Sequence, residues 1–276
     1  MATRSELKIL SICSGIGGLD LGTARAARRL GLEPRTVCYI EREAFPAACL
    51  VKAMEEGRMD AAPVWSDLRT FDCEPWRGRV DCLIGGFPCQ PFSLAGKGQA
   101  EKDPRHLWPE VCRVLEGTGA RFAFFENVPG LVRRGLREVV SDLSRLGFNV
   151  EWDLFSAEEE GAPHVRKRLF VLADADSERR LQQEGPEPKE RRRAGDCREK
   201  VFIADAESPR LSQFESSREA SGQSRPPRCG WWAVEPGVGR VANGIPDRTH
   251  RLRALGNAVV PQCAEQAFFE LWGRMT

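Results

Sequence analysis

Cys89 sits in the stretch Pro88-Cys89-Gln90-Pro91-Phe92-Ser93, directly after Gly85-Gly86-Phe87. A thiol flanked this closely by prolines is held out on a stiff turn rather than packed among core side chains. Such a group becomes a nucleophile when a helix N-terminus or neighbouring cations lower its pKa. The chain offers partners for that chemistry. Glu126 follows the apolar run Phe122-Ala123-Phe124-Phe125 and opens Glu126-Asn127-Val128. A carboxylate leaving a buried strand tip into a semi-apolar pocket has its pKa pushed up, and once protonated it can donate to a ring nitrogen. Arg166 and Arg168 stand two apart ahead of Leu169-Phe170-Val171-Leu172. In an extended segment both point to one face, where two guanidiniums suit a phosphate or a catalytic carboxylate. An ordinary basic strand edge would show the same pattern.

A second group of residues suits a cofactor. Ser14-Gly15-Ile16-Gly17-Gly18 follows an apolar run and precedes an amphipathic one. A glycine turn there lets a ligand approach the backbone and leaves helix N–H groups free. Its pattern is G-x-G-G, which fits an adenosine-type cofactor and lacks the G-x-G-x-x-G of a dinucleotide site. Glu41, some two dozen positions on and at the end of a second apolar run, is placed to accept both hydroxyls of a ribose. Asp67 stands where a third strand would end. It either accepts from an adenine amino group or caps a turn.

The elements that must position these residues are legible as alternating patterns. Residues 7–13, 36–40, 80–86, 121–127 and 168–173 read as buried strands, and 18–30, 43–56, 105–116 and 131–146 as helices. The alternation predicts an α/β domain whose mostly parallel sheet is covered on both faces, with ligands at the carboxyl ends of the strands. From about residue 174 aliphatics thin out and Arg, Glu, Ser, Pro and Gln dominate, and the stretch 172–183 is echoed by 203–213. Residues 174–238 are expected to form a small separate region, ordered in part only on binding. The stretch 254–272 supplies a loop and a final amphipathic helix that return to the sheet.

Bulk composition narrows the class. The 276 residues carry a net charge of +1, spread unevenly: −3 over residues 1–160 and +5 over 161–255. A basic half on a near-neutral chain is a weak sign of a polyanionic partner. The ten cysteines include no C-x-x-C pair, which argues for reduced thiols and against a metal site. Neither a membrane-length apolar run nor a signal-like N-terminus is present, so the expected location is cytoplasmic.

In order, the glycine turn, Glu41, Pro88-Cys89-Gln90, Glu126-Asn127-Val128, the paired arginines and Gly256-Asn257-Ala258-Val259-Val260-Pro261-Gln262 resemble the DNA (cytosine-5) methyltransferase family over residues 8–173 and 236–270. The resemblance implies a Rossmann-like, S-adenosylmethionine-dependent catalytic domain at 1–173, a variable target-recognition region at 174–238, and a C-terminal segment at 239–276. By the same resemblance Cys89 attacks carbon 6 of an everted cytosine. Glu126 holds its N3 and amino group, and Arg168 with Arg166 orients that site. Ser14, Gly15, Ile16, Gly17, Gly18, Glu41, Asp67, Leu68 and Pro88 would contact S-adenosylmethionine, with Asn257 and Val259 closing over its methionine end. Gln90 and Ser93 would face DNA.

The implied partners are double-stranded DNA and a cognate restriction endonuclease acting on the same site, around a monomeric, metal-free, prokaryotic or phage enzyme. Two positions depart from the pattern: Cys13 stands where the family often has phenylalanine, and His164 where it commonly has glutamine. Three alternatives stay open. The tRNA-methylating branch tends to carry threonine at the Ser93 position. A DNA-binding relative without activity would keep the fold. A dinucleotide oxidoreductase would leave the Cys89 and Glu126 motifs unexplained.

Overall fold

Seven strands line up in the order β3-β2-β1-β4-β5-β7-β6 in the computed structural model, which describes residues 5–88, 107–175 and 246–275. They are β1 (Glu6–Ile12), β2 (Glu33–Ile40), β3 (Val64–Trp65), β4 (Cys82–Gly85), β5 (Phe122–Asn127), β6 (Phe148–Phe155) and β7 (Arg168–Ala175). The first five pair in parallel, while β7 runs antiparallel to both β5 and β6. The chain leaves β1 for β2 and β3 on one side, then returns to lay β4 and β5 on the other. That reversal opens a crevice at the carboxyl ends of β1 and β4, where open α/β sheets bind ligands.

Alternation along each strand feeds two cores. Leu10, Ile12, Leu83, Ala123 and Phe125 face α3 (Trp108–Thr118) and α5 (Leu136–Arg145) through Trp108, Val111, Leu115, Val139 and Leu143. Leu7, Ile9, Ile84, Phe124 and Phe170 face α1 (Gly18–Arg29) and the last helix, α7 (Pro261–Met275), through Ala26, Ala27, Ala264, Phe268 and Leu271. Burying each large side chain of this kind is worth roughly 1.5–3 kcal/mol, so these two faces are the main source of stability. α1 and α7 come close because Gly22 leaves room: a Cβ there would lie 2.5 Å from the Pro261 carbonyl.

The remaining helices are α2 (Ala44–Glu55), the single-turn α4 (Leu131–Arg134) and α6 (Arg248–Asn257). The helix expected over 131–146 is two, divided at Gly135, whose backbone at φ −158°, ψ −8° leaves the helical region. β7 runs two residues past 173, to Ala175, with Asp174 paired to Phe122 and Ala175 to Phe148. The rest of the expected recognition region, 176–238, lies outside the described residues, as do residues 239–245 of the expected C-terminal segment. No helix among the described residues is long and apolar enough to cross a membrane.

Candidate active site

The loop from β1 to α1 is built on backbone conformations that few residues tolerate. Gly15 (φ 57°) and Gly17 (φ 83°) occupy the left-handed region, and Cys13 does so at φ 47° without being glycine. Gly15 and Gly18 serve different ends. Gly15 opens onto free space, as a ligand-approach position should, whereas Gly18 abuts the chain itself. A Cβ on Gly18 would lie well under 3.0 Å from the Val259 carbonyl oxygen. Gly15 thus has open space where a side chain would stand, while Gly18 lets α1 pack closely against the Val259 backbone.

Glu41 leaves the tip of β2 and ties two loops together. Its carboxylate accepts the Gly15 N–H at 2.7 Å and the Glu43 N–H at 2.7 Å. Each oxygen keeps a second acceptor direction free of those bonds. Ser14 is fastened beside it, with its N–H on the Ile40 carbonyl at 3.2 Å and its hydroxyl receiving that of Ser11 at 2.9 Å. Asp67 accepts the Arg69 N–H at 3.0 Å and so caps the 3-10 turn Leu68–Thr70. Arg113 of α3 then grips that turn through the Leu68 carbonyl at 2.7 Å and the Phe71 carbonyl at 2.9 Å. The sequence reading missed this support, since an arginine inside an amphipathic helix carries no distinguishing pattern.

Across the crevice, Glu126 emerges near the end of β5 and pairs with Arg168 Nε at 3.0 Å. Burial pushes the Glu126 carboxyl up to about 7, against the opposing pull of Arg168 and then Arg166. Gly86 makes room for it: a Cβ there would meet Glu126 Oε2 at 3.3 Å. The loop leaving β4 is anchored on both sides. Phe87 packs against Trp108 (ring centroids 5.0 Å) and Phe125 (5.8 Å), and the Asn127 amide donates to the Phe87 carbonyl at 3.0 Å. Asn127 thus positions the turn that leads through exposed Pro88 toward Cys89. Its motif was noted in the sequence, but its role was not. Cys89, Gln90 and Ser93 themselves lie outside the described residues.

Arg166 does not share an extended start with Arg168. It precedes β7 with φ 32°, and its guanidinium donates to the Gly256 carbonyl at 2.8 Å and the Ala258 carbonyl at 2.5 Å. The two arginines therefore divide the work: Arg168 holds Glu126, and Arg166 holds the segment carrying Asn257 and Val259. Burial, then repulsion from Arg168, lowers the pKa of Arg166. His164 is exposed, and Cys13 is half-buried with its thiol pushed up to about 12, chiefly by burial and then by the Glu41 charge.

These elements enclose one cavity of about 50 Å³, lined by Cys13, Ser14, Gly15, Ile16 and Gly18 from the first loop, Gly86 and Glu126 from the second, and Asn257 and Val259 from the third. The fold thus brings together most of the expected cofactor contacts and Glu126. Gly17, Leu68 and Pro88 do not line the cavity, and neither do Glu41 and Asp67, which stand at the neighbouring strand ends. Among the described residues no cluster of three His, Cys, Asp or Glu side chains is placed to hold a metal.

The family model for the C-5 cytosine-specific DNA methylase matches residues 7–222. The chain is 35% identical over 184 residues to the type II methyltransferase M.BanI of Aneurinibacillus aneurinilyticus, covering 64% of this chain and 40% of that protein. It is 34% identical over 168 residues to the type II methyltransferase M.NgoMIV of Neisseria gonorrhoeae, covering 59% and 50%. It thus spans half the length, or less, of these curated relatives. In fold it resembles a Spodoptera frugiperda DNMT2 variant (TM-score 0.51, 22% identity, 62% of this chain and 50% of that one). It likewise resembles the Entamoeba histolytica methyltransferase EhMeth (TM-score 0.50, 17% identity, 63% and 54%).

Proposed function

The chain belongs to the C-5 cytosine-specific DNA methylase family, and from that membership we propose that it transfers a methyl group from S-adenosylmethionine to carbon 5 of cytosine in duplex DNA. The observation that carries the reading is Glu126, a buried carboxyl with a pKa near 7 that is paired to Arg168 and lines the same cavity as the glycine turn. A carboxyl so placed is one that can hand a proton to a ring nitrogen at neutral pH.

The residues present fit the cofactor. Glu41 has acceptor directions free for ribose hydroxyls, and Gly15 leaves open space beside the backbone. Asp20, whose buried carboxylate has no hydrogen-bond partner, is among the residues that line the cavity. When bound, S-adenosylmethionine supplies an electrophilic methyl group. In the proposed chemistry the Cys89 thiolate adds to carbon 6 of the base while Glu126 protonates N3, so carbon 5 becomes electron-rich. Carbon 5 would accept the methyl group with S-adenosylhomocysteine as the leaving group; loss of the carbon-5 proton to a base would then break the carbon–sulfur bond, return the thiolate and give the N3 proton back to Glu126. Arg168 keeps Glu126 aimed, and Arg166 keeps the Val259 segment against the glycine turn. The base must leave the helix to reach this crevice. Gln90 and Ser93 are proposed to contact the DNA, and the region within 174–238 that follows β7 to read its sequence beside a cognate endonuclease.

The test is methyl transfer from labelled S-adenosylmethionine to duplex DNA and to tRNA by the full chain and by Cys89→Ser. Incorporation into DNA that is abolished in the variant supports the reading. Transfer by Cys89→Ser at the wild-type rate overturns the covalent route, and transfer confined to tRNA overturns the substrate.

A further inference from the structure

Asp20 lies in the first turn of α1, is 4% exposed, and has no hydrogen-bond partner on either carboxylate oxygen. Thr23, one turn on, has an equally unmatched buried hydroxyl. The nearby hydroxyls are committed elsewhere: Ser11 donates to Ser14 at 2.9 Å, and Tyr39 donates to the Asp60 carbonyl at 3.3 Å. Among the described residues no cation pairs with Asp20. Burial pushes its carboxyl up to about 7, against smaller lowerings by the Ser11 hydroxyl and its own backbone N–H, which lie near it without reaching hydrogen-bond geometry. An unmatched buried carboxylate is among the costlier features a fold can carry, and such groups are kept where a ligand completes them.

Three features indicate what completes it. Asp20 is among the residues lining the cavity, as are Ser11, Ser14, Gly15 and Val259. The helix it belongs to starts at Gly17 with no side-chain cap, so its first-turn N–H groups are offered to an anion. Donors for an anion and a buried acceptor for a cation therefore sit within a single helical turn. That is the complement of an α-amino-acid zwitterion, whose carboxylate and ammonium share one carbon. We propose that Asp20 is the counter-ion for the α-ammonium of the cofactor's amino-acid end, and that it makes the site selective for ligands bearing that group. The inference rests on the S-adenosylmethionine reading above and assigns its polar end to one residue.

Calorimetric titration of the full chain with S-adenosylhomocysteine, and with the same thioether lacking the α-amino group, tests it. A charge-assisted hydrogen bond of this kind corresponds to roughly a 10- to 150-fold preference of the wild-type chain for the amino-bearing ligand. Asp20→Asn should lose most of that preference while binding the deaminated thioether as the wild type does. Its unliganded melting temperature should be unchanged or raised, because a buried charge has been removed. Equal affinity of the wild type for both thioethers overturns the assignment without using any variant. So does an Asp20→Asn protein that keeps the preference, or one that loses affinity for both ligands alike. If the wild type binds neither thioether, the cofactor reading itself fails.

Discussion

Two ion pairs of the same chemistry join β5 to β7 at opposite ends. At the amino end of β5, Arg121 meets Asp174 at 3.0 Å with side chains 60% and 27% exposed. At its carboxyl end, Glu126 meets Arg168 at 3.0 Å with side chains 12% and 23% exposed. Distance does not separate them; surroundings do. Asp174 stays open to water, and its hydrogen bond to Arg121 raises the pKa of that arginine. Glu126 is walled in by Gly86, Arg168 and the crevice, and its carboxyl is displaced toward neutrality. One strand pair thus carries a surface pair that adds little and a largely buried pair whose proton can be exchanged. Reactivity follows the end of the sheet at which chain reversal opens the crevice, rather than residue type.

The largest effect expected from breaking this contrast is on chemistry. Glu126→Gln keeps the shape and removes the exchangeable proton, so kcat for cytosine methylation should fall by about 10²–10³-fold. The calorimetric affinity for S-adenosylhomocysteine should hold. A matching loss of cofactor affinity would mean that Glu126 shapes the cavity instead of serving the base.

Next is the packing that keeps the carboxyl end tight. Gly18→Ala drives a methyl group into the backbone carbonyl of Val259, an atom with little freedom to move. Overpacking against backbone should cost about 3 kcal/mol in chemical denaturation, with cofactor affinity falling as the Val259 segment is pushed away. Unchanged stability would show that the segment is free to shift.

Arg168→Met strips the buried pair while leaving the strand. A fully buried pair would lose about 3–5 kcal/mol; this one, partly wet, should lose about 2 kcal/mol. The loss depends on pH in a fixed direction. Burial raises Glu126 from 4.5 in its ordinary state to about 7 in the folded chain. The folded state therefore holds the extra proton between those values, and its stability declines as pH rises across them. Without Arg168 the folded pKa climbs further and the decline continues past neutrality. The variant's deficit should accordingly be larger at about pH 8 than at about pH 6. A pH-independent deficit would mean that Glu126 is not the group released.

All five strands expected from apolar runs form, because each run fills both cores by simple alternation. β6 went unseen: it is an edge strand whose Glu151 and Asp153 interrupt the apolar pattern, and it exists by pairing along β7. α6 was hidden by its polarity, with Arg248, His250, Arg251 and Arg253 exposed, and it is tied down by Phe45–His250 stacking and by Arg253 on Glu43 at 2.5 Å. In the site, Glu41 and Glu126 were legible as strand-tip carboxylates. Arg166 was misplaced because a spacing of two implies a shared face only in extended backbone, and a positive φ is not written in sequence. Asp20 was passed over, since only burial distinguishes it from a first-turn aspartate at the surface.

The smallest expected effect is the control for the opening contrast. Arg121→Ala removes the pair at the amino end, where solvent surrounds both groups and the guanidinium also rests 4.6 Å over the Phe122 ring. Exposed pairs of this kind contribute about 0.2–1 kcal/mol, and part of any loss here belongs to the ring contact rather than the charge. The charge contribution is the part that salt screens, since about 1 M salt shortens the screening length to about 3 Å. Denaturation at low and high salt should show the Arg121→Ala deficit shrinking with salt, and methylation activity should be unaltered. A deficit near that of Arg168→Met, or one indifferent to salt, would place the two ends of β5 on an equal footing and remove burial as the reason Glu126 differs from Asp174.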